Sequence, residues 1–200
     1  MRHEEFLLGR SCSPIDQSIT RCIKLSDNMR LSLLPLIALA GSAFASGDSI
    51  STAIDNISNA TLALNKTVAT WPQTLLGALP ITTKSTLLLT EIHKGFVIAR
   101  ESEPLSLEET LQVAKATSEL SADVELTINT IIAAKPNFDR LQVSPVILLN
   151  LNLQRALSQD FSEAVISKVP KDLQGNAKAL VQGIDDSFAR AISKYSKLRG

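Results

Sequence analysis

The side chains that could do chemistry in this 200-residue chain are few, and most are polar rather than reactive. Three Asn-x-Ser/Thr sequons stand close together: Asn56-Ile57-Ser58, Asn59-Ala60-Thr61 and Asn65-Lys66-Thr67. Each places a hydroxyl two residues after the amide that a glycosyl transferase modifies, so Asn56, Asn59 and Asn65 are expected glycosylation sites. Of the two histidines, His3 and His93, the second has no sequence neighbour that would complete a triad or a metal site. Glu101, Glu103, Glu108 and Glu109 gather around an expected helix start, where carboxylates favour the helix dipole and need no acid–base role. CxxC, HExxH, G-x-S-x-G and glycine-rich phosphate-loop patterns are absent. No catalytic residue, metal ligand or cofactor is therefore expected, and the chain reads as a non-enzyme. A hydrolase would lack both its nucleophile and its base.

Residues 29–46, MRLSLLPLIALAGSAFAS, carry a basic start at Arg30, an apolar core and an Ala43-Phe44-Ala45 cleavage signal. This reads as a secretory signal peptide over 29–45, cut after Ala45. The apolar run is shorter than the roughly 20 residues of a transmembrane helix, and a buried core helix is the bland alternative. Leaders open a chain, yet 28 residues precede this one. Methionine occurs only at positions 1 and 29, so translation from Met29 is expected, with residues 1–28 a disordered gene-model extension. The alternative is a genuine extension that masks the leader.

The secreted chain, 46–200, would contain no cysteine, which excludes disulfides and thiolate metal sites. Residues 1–45 hold five Lys/Arg and four Asp/Glu, so 15 basic and 16 acidic residues remain, a net charge near −1. That balance gives no sign of the concentrated basic face that nucleic acid requires. The chain stops at Gly200 without the apolar tail of a GPI signal. A soluble secreted protein is expected.

These residues must be positioned by helices, because apolar side chains recur at helical spacing from residue 50 onward. Ile50, Ile54, Ile57, Leu64 and Val68 form the first stripe, with Asp48 or Ser49 as cap and Trp71-Pro72 as end. A second helix runs through Leu88, Ile92, Phe96 and Ala99, and Pro80 should kink or end it. The third opens on a capping box, Ser106-Leu107-Glu108-Glu109. Its stripe is Leu107, Leu111, Ala114, Leu120, Val124, Ile128 and Ile131, and Lys135-Pro136-Asn137-Phe138-Asp139 reads as the turn that closes it. Ser144-Pro145 reads as cap and first residue of the fourth helix, which is apolar almost all round at its start and ends at Pro170. Such a helix must be central or face something apolar. The fifth carries Leu173, Ala177, Leu180, Ile184, Phe188, Ile192 and Tyr195. No period-2 strand pattern appears. The expected fold is all-α, an antiparallel bundle of about five helices forming one domain.

The turn at 135–139, the Lys168-Val169-Pro170 break, the Leu105-Ser106-Leu107-Glu108-Glu109 start, and Ile184, Phe188, Ala191, Ile192 and Tyr195 carry a further signal. Over about residues 50–196 their pattern resembles the fungal hydrophobic surface binding protein A family, which includes cell wall galactomannoproteins. The resemblance implies a secreted or wall-associated helical domain without catalytic residues. It implies adsorption to hydrophobic surfaces and, in some relatives, fatty acids held in the bundle core. Recruitment of secreted hydrolases and contact with cell wall polysaccharide are implied by analogy alone. The long Ser/Thr-rich C-terminal region of some wall-bound relatives is missing here, which argues against covalent wall attachment.

The leading expectation is a secreted binder of hydrophobic surfaces or lipids that works through aliphatic helix faces. Leu120, Val124, Ile128, Leu148, Leu151, Phe161, Leu180, Ile184 and Phe188 are the residues expected to face the interior or a ligand, and they could equally be plain core. The alternative is a structural wall mannoprotein without a specific ligand.

Overall fold

A computed structural model of the chain describes residues 46–197. The leader, the upstream extension and both cysteines lie outside the described residues. Five helices are described: α1 (Ser46–Ala69), α2 (Leu79–Glu101), α3 (Leu107–Arg140), α4 (Ser144–Lys168) and α5 (Gln174–Ser196). Short 3₁₀ turns, Leu76–Ala78 and Lys171–Leu173, lead into α2 and α5. No strand occurs among the described residues.

The helices close into a ring in the order α1, α2, α4, α5, α3 and back to α1. Cross-links fix their directions. Ser46 Oγ accepts from Glu103 N, so α1 and α2 run antiparallel. The α1 backbone at Gly47 donates to Glu109 Oε1, and Tyr195 Oη at the end of α5 donates 2.7 Å to Ile131 O. Helices α1, α3 and α5 therefore run one way. Gln154 Nε2 donates to Ser85 Oγ, and Lys168 Nζ reaches Arg100 O, so α2 and α4 run the other way. Helices consecutive in the chain reverse direction, as the short loops require. The ring nevertheless sets α1 beside α3, α2 beside α4 and α3 beside α5, all parallel.

The core is one stripe from each helix, and burying such a side chain stabilises the fold by roughly 1.5–3 kcal/mol. Ile50, Ile54, Ile128, Leu151 and Phe138 are its fully enclosed large members. The capping box forms as expected: Ser106 Oγ accepts from Glu109 N while Glu109 Oε2 accepts from Ser106 N. On α3, Leu107 and Leu111 prove exposed, and Thr110, Val113 and Thr117 take the buried places of that first stretch. Helix α1 begins at Ser46, so Asp48 sits in its first turn rather than at its cap.

Several boundaries differ from the expectation. The segment 135–139 is not a turn; α3 continues through it to Arg140. Pro136 removes one backbone donor, a local loss, and tertiary contact outweighs it. Phe138 is fully buried and stacks on Trp71 with ring centroids 4.4 Å apart. Lys135 also pairs with Asp139 one turn on, at 2.7 Å. The chain instead turns at Gln142, whose φ is 60°. Pro80 opens α2 rather than breaking it, since a first-turn proline lacks only a donor that has no partner there. Ser144 does not cap α4; its hydroxyl donates 2.5 Å to Asp139 Oδ1. Helix α4 is not central either. It sits in the ring between α2 and α5, and its outward side chains Val146, Leu149 and Leu153 are exposed.

Candidate functional site

All five helices line the middle of the ring. Ile54 and Ile57 come from α1, Leu88 and Ile92 from α2, Leu120, Val124 and Ile128 from α3, Phe161 from α4, and Ile184 and Phe188 from α5. Gly95 on α2 lets Phe161 approach; a Cβ there would meet Ile57 Cδ1 at 3.1 Å and the Phe161 ring at 3.3 Å. The free space at this centre is only about 40 Å³. At roughly 10–15 Å³ per water-sized sphere, that is room for about three. A second pocket of about 20 Å³ lies toward the α1–α2 turn, among Leu64, Ile81, Phe138 and Leu151.

Larger spaces flank α5. A groove of about 220 Å³ lies between α4 and α5 and a second, of about 260 Å³, lies where the first half of α5 crosses α3 and the end of α4. Val181 lines both grooves and the central cavity, so its side chain stands between the three spaces. Helix α5 is seated unevenly. Its buried residues, Ile184, Ser187, Phe188, Ala191 and Tyr195, all belong to the second half, and Gln174–Gly183 contribute none.

The polar lining is sparse and ordered. Thr61, Thr117 and Thr127 turn their hydroxyls back to carbonyls one turn earlier on their own helices, presenting methyl groups to the cavity. Gln154 is buried and donates 2.8 Å to Ser85 Oγ, which donates to Asn150 Oδ1. Ser158 and Ser162, one turn apart on α4, line both the central cavity and the α4–α5 groove. At the mouth of that groove Arg155 makes two 2.8 Å bonds to Asp185, and Gln159 Nε2 adds a third at 2.8 Å. The hydrogen bond from Arg155 holds the Asp185 carboxyl below the usual aspartate range, and Asp185 raises Arg155 in turn. This clamp fastens α5 to α4 at the middle of the bundle.

Six of the nine residues expected to face the interior meet at the central cavity: Leu120, Val124, Ile128, Phe161, Ile184 and Phe188. Leu151 belongs to the second pocket and Leu180 to the larger groove. Leu148 is half-buried, packs against the core and lines none of these four spaces. Sequence reasoning passed over Val181, Ser158, Ser162 and Gln154. Val181 lies next to Leu180 and three residues before Ile184, a spacing that could have revealed it. Asn56 and Asn59 are exposed on α1, whereas Asn65 is half-buried with Oδ1 enclosed and unpartnered. His93 is exposed, 6.3 Å from the Phe96 ring. Among the described residues, no three His, Cys, Asp or Glu side chains gather to hold a metal. No described helix is long and apolar enough to cross a membrane.

The hydrophobic surface binding protein A profile matches residues 47–167, more than half of the chain. The chain belongs to the hydrophobic surface binding protein A family. Among relatives of this family member, Cell wall mannoprotein 1 of Aspergillus flavus is 27% identical over 175 residues, 84% of this chain and 63% of that protein. Its Aspergillus fumigatus counterpart is 26% identical over 144 residues, 71% of this chain and 49% of that protein. The chain thus spans about half to two thirds of the mannoproteins it matches. The fold recurs in AfMp4p solved with palmitic acid, at TM-score 0.73 and 23% identity, covering 75% of this chain and 99% of that one. It recurs also in ligand-binding domain 1 of Penicillium marneffei Mp1, solved with arachidonic acids, at TM-score 0.72 and 20% identity, covering 76% and 99%.

Proposed function

We propose that this protein binds a long acyl chain, the hydrocarbon of a fatty acid, in the apolar tract beneath α5. The observation that carries this reading is that Val181 alone lines the central cavity and both of the grooves beside it, under the half of α5 that has no fully buried residue. The closed centre is too small for such a chain, so α5 must shift outward from Gln174 to Gly183 to admit it. That movement uncovers the half-buried Ala177, Leu180 and Val181 together with Val113, Thr117, Val165 and Val169 facing them, while the second half of α5 stays anchored. The carboxyl end would lie at the groove beside Ser158 and Ser162, whose hydroxyls donate to an oxyanion. No bond is made or broken. Relatives of the same fold were solved with palmitic and arachidonic acids, and the mannoprotein relatives support a place outside the cell or in its wall.

Titration calorimetry of delipidated protein with saturated acids of increasing length tests this. Affinity should rise about fourfold per methylene, the equivalent of about 0.8 kcal/mol each, until the tract is full. Affinity independent of chain length, or none, would overturn it. A second reading, a glycosylated structural wall mannoprotein without a specific ligand, is favoured by the mannoprotein relatives and by Asn56 and Asn59 facing solvent together.

A further inference from the structure

One end of the bundle combines two features that the chain's net charge conceals. There α1 and α3 finish and α2 and α4 begin. The stretch Leu75-Leu76-Gly77-Ala78-Leu79 forms its tip, with Leu75, Leu76 and Leu79 exposed by 61%, 79% and 61%. No residue from 67 to 83, and none from 141 to 154, is charged. Val146 and Leu149, on the first turns of α4, extend the exposed apolar surface at this end.

The tip is built rather than loose. Trp71 is buried against Phe138 and donates through Nε1 to Thr74 O at 3.1 Å. Thr74 Oγ1 accepts from Gly77 N, and Ala78 N donates to Leu75 O. A Cβ at Gly77 would come within 2.6 Å of Pro72 Cγ, so the turn is already closely packed. These contacts hold the leucines outward at a fixed position.

Around the tip the charges are almost all positive. Over 64–85, 132–150 and 191–197 stand Lys66, Lys84, Lys135, Arg140, Lys194 and Lys197, against Asp139 as the one acid. Helix dipoles account for part of this, since Lys66, Arg140 and Lys194 close α1, α3 and α5. Three C-termini against two N-termini leave only about half a negative charge there, well short of balancing the basic excess. At the opposite end, acids and bases are mixed.

We infer that this basic, leucine-tipped end docks on an anionic phospholipid bilayer. Leu75, Leu76 and Leu79 would enter the headgroup–acyl boundary while Lys66, Lys84, Lys194, Lys197 and Arg140 meet lipid phosphates, Lys135 being held by Asp139. Interfacial binding draws on both apolar area and attraction to anionic lipid. A second copy of the chain is disfavoured as the occupant, because the same end would bring like charges together with too few acids to pair.

The test is co-sedimentation of the purified protein with phosphatidylcholine vesicles and with vesicles that also contain phosphatidylserine. The protein should pellet with the anionic vesicles and be released as salt screens the contact. Leu75→Ser with Leu76→Ser should lower partitioning by about tenfold or more. Lys84→Gln with Lys194→Gln should weaken it while Leu62→Ser, on the outer face of α1, leaves it unchanged. The tip variant should keep the wild-type melting curve and acyl-chain affinity, so a failure here is distinct from a failure of the proposed lipid uptake. Equal pelleting with neutral vesicles, or no effect of the tip variant, would overturn the inference. A dimer in sedimentation velocity that the tip variant dissociates would also overturn it, since a second copy would then cover this end.

Discussion

Val181→Phe offers a sharp perturbation of the proposed tract. Val181 is half-buried and lines the central cavity and both grooves beside α5. Phenylalanine adds about four carbon atoms, and the grooves of about 220 and 260 Å³ can receive the ring without overpacking the core. Those atoms would occupy the junction that an acyl chain must cross. Excluding about four methylenes at about 0.8 kcal/mol each removes about 3 kcal/mol of binding, or about 200-fold in affinity. Displacement of a fluorescent fatty acid, followed in parallel with thermal unfolding, reads both quantities. The expected result is a folded protein, at least as stable as wild type, with binding reduced by two orders of magnitude. A folded Val181→Phe protein that binds with unchanged affinity would refute the reasoning, because the chain would then lie elsewhere.

Other consequences concern stability, pH and modification. Phe138→Ala removes a fully buried ring and its stack on Trp71. It should cost about 3–5 kcal/mol and lower the melting temperature by roughly 10 °C, as calorimetry can check. Asp185 and Glu109 both titrate below their usual ranges, Asp185 because of Arg155 and Glu109 because of the Gly47 and Ser106 amides. Depressed carboxylate pKa values add stability that is complete above the unfolded values near 4 and is lost as pH falls through the folded ones. Melting temperature should therefore hold from neutral pH to about 4 and fall below it, and Asp185→Asn should flatten part of that fall. Peptide mapping of protein from a fungal host should find glycans on the exposed Asn56 and Asn59 but not on the half-buried Asn65. An occupied Asn65 would show that its helix face opens more than its burial suggests.

The helices were legible because each buries one stripe at helical spacing, and the third announced its start through Ser106 and Glu109. That same Glu109 also accepts from Gly47 N, a contact across 62 residues that no local pattern encodes. The stretch 135–139 misled because Pro136 and Asn137 are turn residues by local preference, while burial of Phe138 under Trp71 comes from a distant part of the chain. Helix α4 misled differently. Its all-round apolarity reads as a central position, yet Leu149 and Leu153 face outward. Short loops fix the direction of consecutive helices and say nothing about which become ring neighbours. The central cavity could thus be anticipated at Leu120, Val124, Ile128, Phe161, Ile184 and Phe188. Val181 was open to the same reasoning through its spacing from Ile184, whereas only the placement of α5 against α4 makes Ser158 and Ser162 a lining.

Isotope-filtered nuclear Overhauser measurements on the protein bound to a ¹³C-labelled sixteen-carbon fatty acid would test the central claim most directly. The account predicts contacts from the acyl chain to the Val181 and Ile184 methyls and the Phe188 ring. Contacts confined to the exposed Leu75, Leu76 and Leu79 methyls, or none to the interior, would contradict it.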